Sequence, residues 1–162
     1  MRLKITIAYD GRPYSGWQSQ PNGQTVQDII QGAIAEVAKS DQPHPIHGSG
    51  RTDTGVHADA QIAHFDTPEN VDMNPYNWVP ALNTKLPAGI RIMDCEEVSD
   101  DFHARFSAQG RHYVYLLRQH RVRSPLLHGR VAWVFRPLDL ALMQEAAQHL
   151  VGEHDFSAFR SS

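Results

Sequence analysis

An α+β fold is predicted by three features of this 162-residue sequence. The opening run, Leu3 to Tyr9, alternates apolar and polar residues as a half-buried strand does. Val26, Ile29, Ile30, Ala33, Ile34 and Val37 then fall at the i, i+3, i+4, i+7 spacing of one helix face. Further strand-like and helix-like runs follow in the order β-α-β-β-α-β. That order predicts the ferredoxin-like arrangement, a four-stranded antiparallel sheet with two helices on one face.

Each element has a local reason. The first strand is β-branched at alternate positions, and Asp10-Gly11 supplies the turn that ends it. Thr25 is placed to cap the first helix, with Asp28 three residues on. Pro43 and Pro45 break the chain before a short segment, Ile46 to Arg51, and Gln61 to Phe65 reads as the next strand. Asn74-Pro75 can open a second helix carrying Trp78, Leu82 and Leu86, with a kink expected at Pro80. Ile90 to Val98 is the fourth strand of the unit. Beyond it, strands over Arg111 to Gln119 and Val131 to Phe135 and an amphipathic helix from Asp139 to Val151, closed by Gly152, read as the start of a second α/β unit. The expected organisation is therefore a subdomain over 1–101 and an incomplete one over 102–162. The apolar residues near Phe156 and Phe159 lack a partner in this scheme, which suits the N-terminal part of something longer or a surface completed by another subunit.

Composition narrows the function. With 41% hydrophobic and 20% charged residues the chain can bury a core. A lone cysteine, Cys95, excludes a disulfide scaffold and a Cys-rich zinc module and suits a reducing compartment; no run is long and apolar enough for a signal peptide or a membrane span, so a cytoplasmic location is expected. The net charge of −3 conceals a partition. From Phe102 to Leu138 there is no Asp or Glu, yet the stretch holds Arg105, Arg111, Arg118, Arg121, Arg123, Arg130 and Arg136, seven of the fifteen basic residues. Guanidinium groups suit bidentate phosphate contacts and stacking on bases, so this is a candidate RNA-backbone surface, with Arg105, Arg118, Arg121 and Arg123 its foremost contacts. A solvated basic face without a ligand accounts for the same pattern.

Gly48-Ser49-Gly50-Arg51-Thr52-Asp53-Thr54-Gly55-Val56-His57-Ala58 is the most distinctive stretch. Its glycines permit unusual backbone geometry and close approach of a ligand. Arg51 and Asp53, two apart, point the same way in an extended segment, and a neighbouring guanidinium would keep the carboxylate ionised and fit to act as nucleophile or base. A structural Arg-Asp pair bracing a turn is the other reading. In Arg111-His112-Tyr113-Val114-Tyr115, strand pleating would set Arg111, Tyr113 and Tyr115 on one face, either as a base-stacking platform or as ordinary cross-strand packing. The ten histidines lack metal-ligand spacing, the glycine loop lacks the GK[ST] ending of a nucleotide-phosphate loop, and no GxSxG elbow occurs.

GRTDTGVHA, Gly50 to Ala58, resembles the signature loop of the A-type tRNA pseudouridine synthases. Further matches run in order: YDGRPYSGWQSQPNGQTVQ from Tyr9, FHARFSA from Phe102 into RHYVY, and LVGEHDFSAF from Leu150. Thr54 departs from the family's usual alanine. The resemblance implies the pseudouridine synthase fold and a cofactor-free, metal-free isomerase that turns uridine into pseudouridine in the tRNA anticodon stem-loop. It implies Asp53 as the catalytic carboxylate, Tyr113 packed on the target base, and Arg51 holding the space the flipped base leaves, with Arg111 and Tyr115 beside them. It also implies a homodimer that holds tRNA jointly and has no membrane partner. The alternative class is an RNA-binding or assembly module that performs no chemistry.

Overall fold

The computed structural model describes residues 1–159. The chain forms two compact units that divide between Tyr113 and Val114. In the first, strand β1 (Arg2–Tyr9) lies between β3 (Ala58–Asp66) and β4 (Ile90–Val98), and β2 (His47–Gly48) extends the outer edge of β3. The sheet order is β2-β3-β1-β4, and every pairing is antiparallel. The alternation read from the sequence is realised residue by residue: Leu3, Ile5, Ile7 and Tyr9 are buried, while the residues between them are half exposed. Irregularities after Ile7 in the pairing with β3, and between Thr6 and Ile7 in the pairing with β4, bend β1 just before it delivers Tyr9.

Helix α1 (Val26–Ala38) starts as expected. The Thr25 hydroxyl accepts from the Asp28 amide at 3.2 Å, satisfying one of the first-turn N–H groups that have no partner inside the helix. Its buried stripe, Val26, Ile30, Ala33 and Ile34, joins the odd residues of β1 in one core. Helix α2 (Pro75–Asn83) is capped by Asn74, which accepts from Tyr76 N–H at 3.0 Å, and buries Trp78 and Leu82 in the same core. Pro80 sits within the helix on an exposed position, and helical structure runs on to Asn83. The Asn83 side-chain amide then holds both backbone groups of Ile92, accepting at 2.9 Å and donating at 2.8 Å, which ties α2 to β4 where the β1 pairing shifts. Among the described residues, no helix is long and apolar enough to cross a membrane.

In the second unit β5 (Leu117–Gln119) pairs in parallel with β6 (Ala132–Val134), followed by α3 (Leu140–Gln148), which is capped by Asp139. The expected strand from Arg111 is thus corrected to three residues, because only 117–119 find a partner strand and an unpaired segment cannot complete a ladder. The shared strand face of Arg111, Tyr113 and Tyr115 does not form. The helix expected from Asp139 to Val151 is shorter, and Gly152, at φ 110°, lies beyond its end. None of the described residues of this unit is buried, and Leu140, Leu142, Val151 and Phe159 are each more than half exposed.

Candidate active site

The loop that joins β2 to β3 is held through the backbone of Ser49, Gly50, Thr52, Asp53 and Val56. The Ser49 amide donates to Ile62 O at 2.7 Å, and Gln61 Nε2 donates to Gly50 O at 2.7 Å. Trp17 N–H donates to Thr52 O at 3.0 Å, and the Thr52 hydroxyl shares a 2.8 Å hydrogen bond with the hydroxyl of Tyr9. Val56 N–H closes a turn on Asp53 O at 3.1 Å, in which Gly55 has φ 82°. A positive φ at the third residue of a four-residue turn is the type II pattern, which selects glycine there. Gly16 makes the other essential approach: a Cβ on it would stand 2.6 Å from Thr52 O and 3.3 Å from the Asp53 carbonyl carbon. The segment after β1 therefore lies flat against the 52–54 backbone.

On this fixed backbone Arg51 and Asp53 are exposed, and Thr52 between them is half buried. Among the described residues no ion pair joins Arg51 to Asp53, so the expected guanidinium partner is corrected: both side chains project into solvent, where hydration competes with a surface pair. A second arginine, from the segment after FHARFSA, reaches the backbone of the same loop. Arg111 donates from Nη2 to Ser49 O, and its Nε lies 3.1 Å from where a Gly50 Cβ would be. Tyr113, 64% exposed, is near enough to Tyr9 to help raise that phenol's pKa, an upward shift caused chiefly by burial and opposed by the bond to Thr52. Arg111 thus contacts the start of the loop that carries Asp53, and Tyr113 lies within electrostatic reach of Tyr9, whose hydroxyl meets Thr52 of that loop.

Arg105 stacks over Phe106 at 5.8 Å and is exposed. Tyr115 belongs to the second unit and is 88% exposed. So do Arg118, Arg121 and Arg123. Arg118 and Arg123 line an open cavity of about 300 Å³ with His128 and Trp133, where the Arg123 guanidinium lies 4.8 Å from the indole centre. Arg121 is exposed.

Several supporting residues escaped the sequence reading. At the end of β1, Asp10 accepts from Arg12, which holds its carboxyl well below the usual range, and His57 Nδ1 lies 3.2 Å from Asp10 Oδ1. On the sheet edge, His47, His64 and His103 pack ring against ring, with centroids 4.7–5.6 Å apart. The buried His64 accepts from Ala104 N–H at Nδ1, 3.1 Å, and so fastens the 102–107 segment that leads to Arg111. Adjacency of YDG and SGW to the loop could have been suspected from their glycines alone; the histidine stack, drawn from three separated segments, has no local signal.

The fold and loop define an α+β protein that presents an exposed carboxylate from a clamped turn, in a loop whose backbone a guanidinium also contacts. Residues 5–107 match the family model for tRNA pseudouridine synthases, so the chain belongs to that family. It is 50% identical to the tRNA pseudouridine synthase A of Bordetella petrii over 161 residues, covering 99% of this chain and 59% of that protein. The proteins of the same name from Burkholderia thailandensis and Burkholderia mallei are likewise 50% identical over 162 residues, all of this chain and 58% of theirs. The chain therefore spans under three-fifths of the length of these curated relatives.

Proposed function

We propose that the chain carries the reacting carboxylate of an isomerase that converts uridine to pseudouridine in the anticodon stem-loop of tRNA. Asp53 acts on a nucleotide turned out of its stem, Tyr113 packs on the uracil, and Arg51 fills the space the base vacates. Family membership and the relatives' names support the activity; the single observation that carries the role of Asp53 is an exposed carboxylate on a backbone fixed from both sides, in a loop that Arg111 also contacts. The reaction breaks the bond from ribose C1′ to uracil N1, turns the base, and joins C1′ to C5 while a proton leaves C5 and one is taken up at N1. Atoms and electrons balance within the nucleotide, so an ionised carboxylate serving as nucleophile or base supplies the chemistry required. Extruding the base costs a few kcal/mol, offset by stacking and phosphate contacts. The arginine-rich segment would hold the RNA backbone, and the sheet order with its two core helices suits the ferredoxin-like layout. A cytoplasmic homodimer is part of the same reading.

Asp53→Asn tests it. The variant is expected to bind unmodified tRNA within a few-fold of the parent and to form no pseudouridine, scored by chemical mapping of the RNA. Product at the parent's rate would remove Asp53 from the mechanism; no product from the parent chain would favour an inactive fragment, and tRNA binding without product from a protein of the relatives' full length would favour an RNA-holding module.

A further inference from the structure

Thr52 stands between the two charged residues of the loop, and its carbonyl and hydroxyl are both engaged. Its carbonyl accepts from Trp17 N–H at 3.0 Å, and its hydroxyl meets the Tyr9 hydroxyl at 2.8 Å. Tyr9 is 4% exposed, packed in the core and 6.2 Å from the Trp17 ring. A phenylalanine would satisfy the apolar alternation of β1 equally well, so packing leaves the phenol oxygen unexplained. Buried hydroxyls need partners, and this one finds its partner in the loop. Successive side chains of an extended segment point to opposite sides. Drawing Thr52 inward therefore turns Arg51 and Asp53 outward, which is the exposure the loop shows: exposed, half buried, exposed. Thr52 is β-branched, so one hydrogen bond suffices to select its rotamer and stiffen the backbone it hangs from.

We propose that Tyr9 and Thr52 form a positioning pair, in which the buried phenol, acting through the threonine hydroxyl, sets the direction in which the Asp53 carboxylate is presented. The inference deepens the reading of Asp53 as the reacting group and rests on it. Small misplacements of a reacting group cost rate more than binding, so the pair should act on turnover.

The test uses the 162-residue chain and unmodified tRNA, with Tyr9→Phe, Thr52→Val, Thr52→Ser and the Tyr9→Phe/Thr52→Val double variant. Tyr9→Phe and Thr52→Val are each expected to lower kcat about tenfold with KM within about twofold. The double variant should match the singles, because one bond is lost in all three, and Thr52→Ser should keep most of the rate. Amide hydrogen exchange gives a readout that does not depend on turnover. Trp17 and Val56, whose N–H groups bond to Thr52 and Asp53 carbonyls, should exchange about tenfold faster in Tyr9→Phe while Ile5 and Ile7 stay protected. Unchanged exchange at Trp17 and Val56 overturns the pairing. So does undiminished kcat in an active protein, or losses in the single variants that add in the double. An active Asp53→Asn protein with the exchange changes intact would instead sink the role of Asp53 and leave the clamp standing.

Discussion

Gly16 and Gly55 share a φ of 82°, yet they do different jobs in the loop. A Cβ at Gly55 meets nothing within 4 Å, so Gly55→Ala carries only the backbone penalty of a left-handed alanine, about 1–2 kcal/mol. At Gly16 the added carbon would strike Thr52 O at 2.6 Å, and the obstacle is backbone that is itself hydrogen-bonded to Trp17. Overpacking of this kind adds about 1–3 kcal/mol. Gly16→Ala should therefore lose roughly 2–5 kcal/mol in urea unfolding, and Gly55→Ala only about 1–2 kcal/mol. Equal losses in the two variants would mean that the approach of Gly16 to the loop is not the constraint.

Elements differ in how much of them could be read without coordinates. Strand β1 and helix α1 were legible because each has a full period of burial and, for α1, a cap whose side chain accepts the bond that Thr25 suggests. The run at 111–116 was misleading: its alternation is strand-like, but a ladder needs a neighbour, and only Leu117–Gln119 has one. Arg51, Asp53, Arg111 and Tyr113 were legible as chemistry-bearing types, whereas the groups that contact Thr52 and its backbone, Tyr9, Gly16 and Trp17, come from 35 to 43 residues earlier in the chain than Thr52, a distance no local pattern spans. The fastening of the 102–107 segment to β3 is of this kind, and it makes a pH prediction. Burial first, then the neighbouring His103, His47 and Arg2, lower the pKa of His64 from 6.5 to about 4, against a smaller opposing pull from Asp66. The unfolded chain takes up this proton near 6.5 and the folded one only near 4, so stability from this site is intact above 6.5 and lost as pH falls through that window. The loss is on the order of 3 kcal/mol. His64→Asn, whose carbonyl can still accept from Ala104 N–H but does not titrate, should flatten the dependence of Tm on pH between 6.5 and 4. An unaltered slope would show that another group governs that range.

At the scale of the molecule the charge is divided more sharply than the net value of −3 suggests. The acidic residues lie outside 102–138, and within that stretch every charged side chain is an arginine, so the field that meets a polyanion is local and cationic although the sum is negative. Several of these guanidinium groups stack on aromatic rings, Arg105 on Phe106, Arg123 on Trp133 and Arg136 on Phe135, and among the described residues none of the three forms an ion pair with a carboxylate. Phosphates would release counterions on meeting them, and log K for tRNA should fall by about 0.7–0.9 for each phosphate neutralised per decade of salt. Replacing Arg121 and Arg123 by alanine should therefore weaken tRNA binding at low salt and reduce the slope by about one to two, without changing the fraction of bound tRNA that goes on to product. Asp53→Asn should do the reverse, removing product and leaving the slope where it was. Titrations of both proteins across a range of salt concentrations separate holding the RNA from acting on it. A slope unmoved by loss of the two arginines would place the phosphate contacts elsewhere on the chain.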